Sequence, residues 1–218
     1  GIVDAEQVPE WWSEGLRVAS LCHYGVSSYS HGTQAPGGLT PRGGPLLKAL
    51  ESQGVMLDLS HLAAAAFWEA LEIFGGQVLA THNCCRALCD HDRQFDDRQI
   101  QAIVNRGGVM GVAFDDWMLS PLWDHEAQDN TGITLETVAD HFDHICQIAG
   151  NSQHVGIGSD LDGGYGKEQS PADMDTIADL QRLEAIFARR GYTEQDIARM
   201  LHGNWLRLLR EHLPGASQ

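Results

Sequence analysis

Four ionisable residues, His23, His61, His82 and Asp160, each close a short apolar run. Val55-Met56-Leu57-Asp58-Leu59-Ser60 leads into His61 and Val78-Leu79-Ala80-Thr81 into His82. Arg17-Val18-Ala19-Ser20-Leu21-Cys22 leads into His23, and Val155-Gly156-Ile157-Gly158-Ser159 into Asp160. Runs this short, ended by a polar residue, read as buried parallel strands whose C-terminal ends open into loops. Adjacent strands lie about 4.8 Å apart, so His61 and His82 on neighbouring strands would be close enough to share a metal ion. Any one of the four alone reads as a hydrogen-bonded structural residue. Four at the same topological position point to zinc, which takes imidazole and carboxylate ligands and leaves a position for water. Bound zinc lowers the pKa of that water to about 7 and polarises a carbonyl, and a nearby Asp could carry the proton to a leaving amine.

The other candidates have plainer readings. His31, His91, His125, His141, His144, His154, His202 and His212 are not at strand ends. His141 and His144, three apart, are read as a surface helix face, since Leu135, Val138, Phe142 and Ile145 take the apolar one. Cys84-Cys85 reads as two small residues after a strand. Asp90-His91-Asp92 reads as a solvated loop, and Asp115-Asp116-Trp117 as part of a pocket rim. Arg86 suits either a substrate contact or a structural salt bridge.

Positioning the four requires strands that alternate with helices. Asp4 with Gln7 resembles a capping box for a first helix bearing Trp11 and Trp12. A loop rich in Gly, Ser and Pro spans 24–44, and long loops in compact domains are often functional. Helices are expected over Pro45–Gln53 and Ala63–Phe74, the latter capped by Ser60. Asp96 caps a helix with Ile100, Ile103 and Val104 on one face, and Thr134 caps another with Leu135, Val138, Phe142, Ile145 and Ile148. A second long loop spans 115–133. Two helices finish the chain, the first with Ile177, Leu180, Leu183, Ile186 and Phe187, the second, capped by Thr193, with Ile197, Met200, Leu201, Leu206 and Leu209. Such alternation means an α/β fold with a parallel sheet. Five strands, ending at His23, His61, His82, Phe114 and Ser159, fit a doubly wound sheet or five of the eight units of a (β/α)8 TIM barrel, where functional residues gather at the C-terminal strand ends. No GxGxxG turn follows a first strand, which argues against a dinucleotide site.

The 218 residues fit one domain, and a net charge of −16 argues against nucleic acid or an anionic membrane surface as partner. No apolar run reaches the roughly 20 residues of a membrane-spanning helix. Five cysteines make a poor disulfide framework, and the start lacks a signal-peptide pattern, so a cytoplasmic location is expected.

Several stretches together resemble the membrane dipeptidase (renal dipeptidase) family of zinc metallopeptidases. They are Leu57-Asp58-Leu59-Ser60-His61, Thr81-His82-Asn83 with Arg86-Ala87-Leu88, Arg93 followed by Asp96, and Gly107-Gly108-Val109-Met110. His154-Val155-Gly156-Ile157-Gly158-Ser159-Asp160-Leu161-Asp162-Gly163 is the longest, and Gly15-Leu16-Arg17, Leu21-Cys22-His23 and Gly203-Asn204-Trp205-Leu206-Arg207 fit as well. The matches keep the family's order over nearly the whole chain. The resemblance implies an amidohydrolase-like (β/α)8 barrel that cleaves dipeptides with two zinc ions, with residues 1–218 as its C-terminal five units. It implies that His61 and His82 are ligands of the second zinc, that His23 contacts substrate and the tetrahedral intermediate, and that Arg93 holds the substrate carboxylate, a role its planar fork suits. Asp160 becomes the acid/base at the leaving amine, and Asp162 a support of the turn. The family's opening His-x-Asp strand and its metal-bridging glutamate have no counterpart before His23. The first barrel strands are therefore expected to be missing from this chain, with its open sheet edge completed by a preceding segment, a second copy or a partner piece. Two alternatives stay open: a non-catalytic, partner-dependent remnant, and a hydrolase of another amide, such as a lactam or an N-acyl amino acid.

Overall fold

Five strands form one all-parallel sheet in sequential order in the computed structural model, which describes residues 2–161, 163–213 and 215. They are β1 (Val18–Ser20), β2 (Met56–Asp58), β3 (Val78–Asn83), β4 (Met110–Val112) and β5 (Val155–Ile157). Ser20 pairs with Asp58, Leu57 with Val78, and Met110 with Val155, so the strands' C-terminal ends share one side. Each crossover carries a helix, as parallel pairing demands. Helix α1 (Val8–Ser13) precedes β1, and α2 (Gly43–Gln53), α3 (Ala64–Ile73) and α4 (Asp97–Asn105) precede β2, β3 and β4. Helices α5 (Asp116–Leu119) and α6 (Leu135–Ala149) lie between β4 and β5, and α7 (Arg182–Arg189), α8 (Glu194–Ala198) and α9 (Asn204–His212) follow β5. The expected α/β architecture holds, and the five consecutive βα units form part of a barrel.

Alternation along the strands assigns the two faces. Val55, Leu57 and Leu59 of the β2 run, and Val78 and Ala80 of β3, point to the helices. There they join Leu47, Leu50, Phe67, Ile103, Val138 and Phe142 in the main core. Met56, Leu79 and Val109 point the other way and pack against Leu208 of α9 in a second, smaller cluster. Asp58 and Thr81 come two residues later on that same inner face, so the apolar cluster is the floor beneath them. The inner face narrows at Gly111 and Gly158: a Cβ on either would meet the Thr81 carbonyl oxygen at 2.1 and 2.0 Å.

Several local expectations change. Asp4 caps a 3-10 turn (Ala5–Gln7) through Glu6 N–H, and Gln7 turns to Val3 N–H, so α1 starts only at Val8. Ser60 does not cap α3, whose N-cap is the uncapped Ala63; its hydroxyl accepts from His82 N–H instead. The first closing helix begins as a 3-10 turn in which Ile177 is 71% exposed, not part of the apolar face. The second is split by a π-helical turn (Arg199–Gly203) between α8 and α9. Asp96 builds its capping box with Gln99 on α4, and Thr134 one with Thr137 on α6. All five cysteines are unpaired and buried. Among the described residues, no helix is long and apolar enough to cross a membrane.

Candidate active site

The C-terminal ends of β2 and β3 bring His61 and His82 face to face. Their Nε2 atoms stand 2.9 Å apart. Neither ring is free to turn, because each Nδ1 meets a threonine hydroxyl: Thr33 for His61 at 3.0 Å, and Thr81 for His82 at 2.7 Å. Thr33 arrives from the 24–44 loop, which folds back through bridges pairing Tyr24 with Thr33 and Gly32 with Leu62. Beneath the pair, the Asp58 carboxylate accepts from Ser60 N–H and Thr81 N–H, both at 3.0 Å, and from the Thr81 hydroxyl at 2.6 Å.

His23, just beyond β1, lies with its ring centroid 4.2 Å from that of His61, and the Tyr24 ring is 5.4 Å from it. The structure thus gathers three strand-end histidines in a row. His61 and Asp160 both have left-handed backbones, at φ 67° and 57°. Non-glycine residues pay a steric cost there, and such strain concentrates at functional sites. Burial holds both imidazoles of the facing pair neutral: it is the main cause that lowers His61 to about 2, with the charge of Arg93 next, and it also lowers His82. Asp160 opposes this at His82, because its negative charge favours the protonated ring. Asp162 lies outside the described residues.

Arg93 is 3% exposed, and its guanidinium is aimed back at β3. Nη2 donates to the His82 carbonyl at 2.7 Å and Nη1 to Asn83 Oδ1. Of its five N–H donors, three remain beyond these two bonds. The stretch 83–95 carries three polar side chains into the interior, Asn83, Arg93 and Gln94, all buried. Arg86 makes no salt bridge among the described residues; it pins the loop through the carbonyls of His91, Asp92 and Gln94.

The two histidines fit a metal-binding pair. Two lone pairs at 2.9 Å repel unless a proton or a cation lies between them. The spacing is slightly inside the roughly 3.3 Å of two nitrogens on one tetrahedral zinc, and a hydrogen-bonded second ring nitrogen is the usual support of a ligating histidine. They do not make a complete cage: among the described residues, no three His, Cys, Asp or Glu side chains converge on one metal position.

Sequence reading missed Thr33, Thr81, Asp58 and Tyr24. Asp58 and Thr81 had a signal, since each is a polar residue inside an otherwise apolar strand. Thr33 had none, because only the fold of its loop brings it to His61. Two other readings are corrected. His141 is buried rather than on a surface face: Nδ1 accepts from Cys85 N–H at 3.0 Å, and Nε2 lies 3.0 Å from the Leu119 carbonyl. Asp115 and Asp116 are buried rather than on a rim, and Asp115 is held by Gln169 and Trp117.

Comparison with known proteins gives the family. The family model described as membrane dipeptidase (peptidase family M19) matches residues 3–215. An uncharacterised Klebsiella pneumoniae protein encoded in the pqqA 5′ region is 33% identical over 201 residues, covering 92% of this chain and 69% of that one. The dipeptidase VerJ of Clonostachys rogersoniana is 30% identical over 199 residues, covering 89% of this chain and 48% of that one. A Rhodobacter sphaeroides metallopeptidase, solved with a phosphinate mimic of the dipeptide L-Ala-D-Ala, superposes with a TM-score of 0.83 at 28% identity, covering 95% of this chain and 60% of that one. The chain therefore spans between about half and two thirds of the length of these relatives. With a matching family model over almost its whole length and the facing histidines at adjacent strand ends, the chain belongs to the membrane dipeptidase family, peptidase family M19.

Proposed function

We propose that this chain carries the second-metal half of a zinc-dependent dipeptidase centre. His61 and His82 would hold the ion, and the observation that carries the reading is their Nε2–Nε2 approach of 2.9 Å with both Nδ1 atoms engaged by threonines. Zinc, when bound, supplies an activated water and a Lewis acid at neutral pH. Asp160, whose charge reaches His82, serves as the group that passes a proton to the leaving amine. Arg93 offers its remaining N–H donors to a substrate carboxylate, and exposed His23 contacts the substrate beside His61. Family membership supports a dipeptide as the substrate class.

The experiment is zinc binding and dipeptide hydrolysis by the chain, alongside His61→Ala. Zinc binding and hydrolysis by the parent, both lost in the variant, support the reading; activity that survives the substitution overturns it. One observation favours a second form of the same reading. Two histidines fall short of the three protein ligands of a catalytic zinc site, and no third candidate converges among the described residues. On that form, residues outside this chain, on a preceding segment or a partner, complete the centre. Hydrolysis by the isolated chain at the rate of a full-length relative would overturn it.

A further inference from the structure

We infer that Asp58 is a positioning residue that acts through the Thr81 hydroxyl to fix which nitrogen of His82 carries the hydrogen. This rests on the reading of His61 and His82 as a metal-binding pair, and concerns how one of them is prepared for the ion.

Thr81 Oγ1 has one hydrogen and three close partners: Asp58 Oδ2 at 2.6 Å, His82 Nδ1 at 2.7 Å and Ser60 Oγ at 3.3 Å. The Asp58 carboxylate can only accept, and its other oxygen already takes two backbone N–H groups. The Thr81 hydrogen therefore goes to Asp58, the shortest of the three contacts. The Thr81 oxygen is left to accept, so His82 Nδ1 must be the donor. A neutral imidazole with its hydrogen on Nδ1 presents a lone pair at Nε2, the atom that faces His61. Ser60 agrees with this direction: its oxygen accepts from His82 N–H, which leaves its own hydrogen for Thr81.

The two histidines are thereby made unequal. His82 is locked by a hydroxyl whose hydrogen is already committed. His61 rests on Thr33, whose hydroxyl can donate or accept as the ring requires. In the metal-free chain His61 supplies the hydrogen of the 2.9 Å contact and His82 the lone pair. Asp58 lies three residues before the left-handed turn at His61, so one side chain organises both strand ends.

The test reads the tautomer directly, by long-range 1H–15N correlation of the imidazoles in metal-free chain at about pH 8, above the ordinary histidine range. The His82 signals are identified by their loss in His82→Gln. The native chain is expected to show His82 with hydrogen on Nδ1. Asp58→Asn replaces Oδ2 with an NH2 group, which would donate to Thr81, send the hydroxyl hydrogen on to His82 Nδ1, and move the ring hydrogen to Nε2. Zinc affinity, measured by competition with a chromophoric chelator, is then expected to fall about 10–100-fold. Thr81→Val removes the relay while keeping the shape, and is expected to release the Nδ1–H form; Thr81→Ser is expected to retain it. If Asp58→Asn does not fold, the two Thr81 variants decide the matter on the same spectrum. His82 keeping its hydrogen on Nδ1 in every folded variant that lacks the carboxylate or the hydroxyl overturns the inference. A tautomer that responds as expected in a native chain that binds no zinc upholds the relay and overturns the reading that the two histidines by themselves hold the ion, so the two can fail separately.

Discussion

Both carboxylate oxygens of Asp116 are shut away from water and have no hydrogen-bond partner among the described residues. Burial pushes the group up to about 8, helped by the charge of Asp115, which burial raises to about 6. The pH dependence follows from the direction of the shift. Below the ordinary aspartate pKa of about 3.9 the group is protonated in both states and contributes nothing. As pH rises the unfolded chain loses this proton and the folded chain keeps it, so stability falls until the folded pKa is reached. Asp116→Asn removes the falling term. Its advantage over the parent is expected to grow by on the order of 3–4 kcal/mol between about pH 5 and pH 8. Urea unfolding at the two pH values checks this, and an advantage that shrinks toward pH 8 would contradict the assignment.

At the scale of elements, the inner face of the sheet must taper for Asp58 and Thr81 to sit above their apolar floor. Gly111 on β4 and Gly158 just past β5 meet at the Thr81 carbonyl, with no space for a methyl group on either. Gly158→Ala is expected to cost about 1–3 kcal/mol through overpacking and to displace the His82 signals, because the clash falls on the residue before it. Gly44→Ala is the matched control: its Cβ would meet Ile73 Cδ1 at an ordinary 3.7 Å, and in helix α2 alanine should be neutral or stabilising by up to about 1 kcal/mol. Denaturant midpoints of the two variants should move in opposite directions or, at least, only the first should fall. His141 does related work between helices and sheet, tying α6 to the backbone after β3 and to the end of α5. His141→Phe keeps an aromatic ring but strands a buried N–H and a buried carbonyl, a loss of about 2–4 kcal/mol that thermal unfolding would register.

For the whole molecule the dominant fact is 30 acidic against 14 basic residues. Local pairing uses part of the excess: Arg190 binds Glu136, Asp140 and Asp143 of α6 at 2.6–2.8 Å, which fastens α7 to α6. Such exposed pairs are individually worth about 0–1 kcal/mol and weaken in salt, whereas the self-repulsion of a net −16 acts over the whole surface. Repulsion should win. The Tm is expected to rise by about 2–4 °C between ~20 and ~200 mM NaCl, equivalent to about 1 kcal/mol at this size. A falling Tm would mean that local pairs outweigh the net charge.

The strand-end histidines were legible in the sequence because a buried parallel strand has a simple signature: a short apolar run that stops at a polar residue. The run lengths of β2 and β3 and the order of helices between them determined the parallel sheet and the pairing of His61 with His82. Composition and pattern determined nothing about which way Arg93 points, since its turn toward Asn83 and the His82 carbonyl depends on how the 83–95 loop closes. Ser60 illustrates the same limit: its type and position suit a helix cap, yet a neighbouring strand offers the stronger partners at Thr81 and His82. Thr33, far from either strand in sequence, reaches His61 only because its loop folds back on the sheet. Local sequence specifies local periodicity and chain order. The hydrogen-bond directions that decide how two facing imidazoles are prepared are set by contacts between residues distant in the chain, and those exist only once the sheet is assembled.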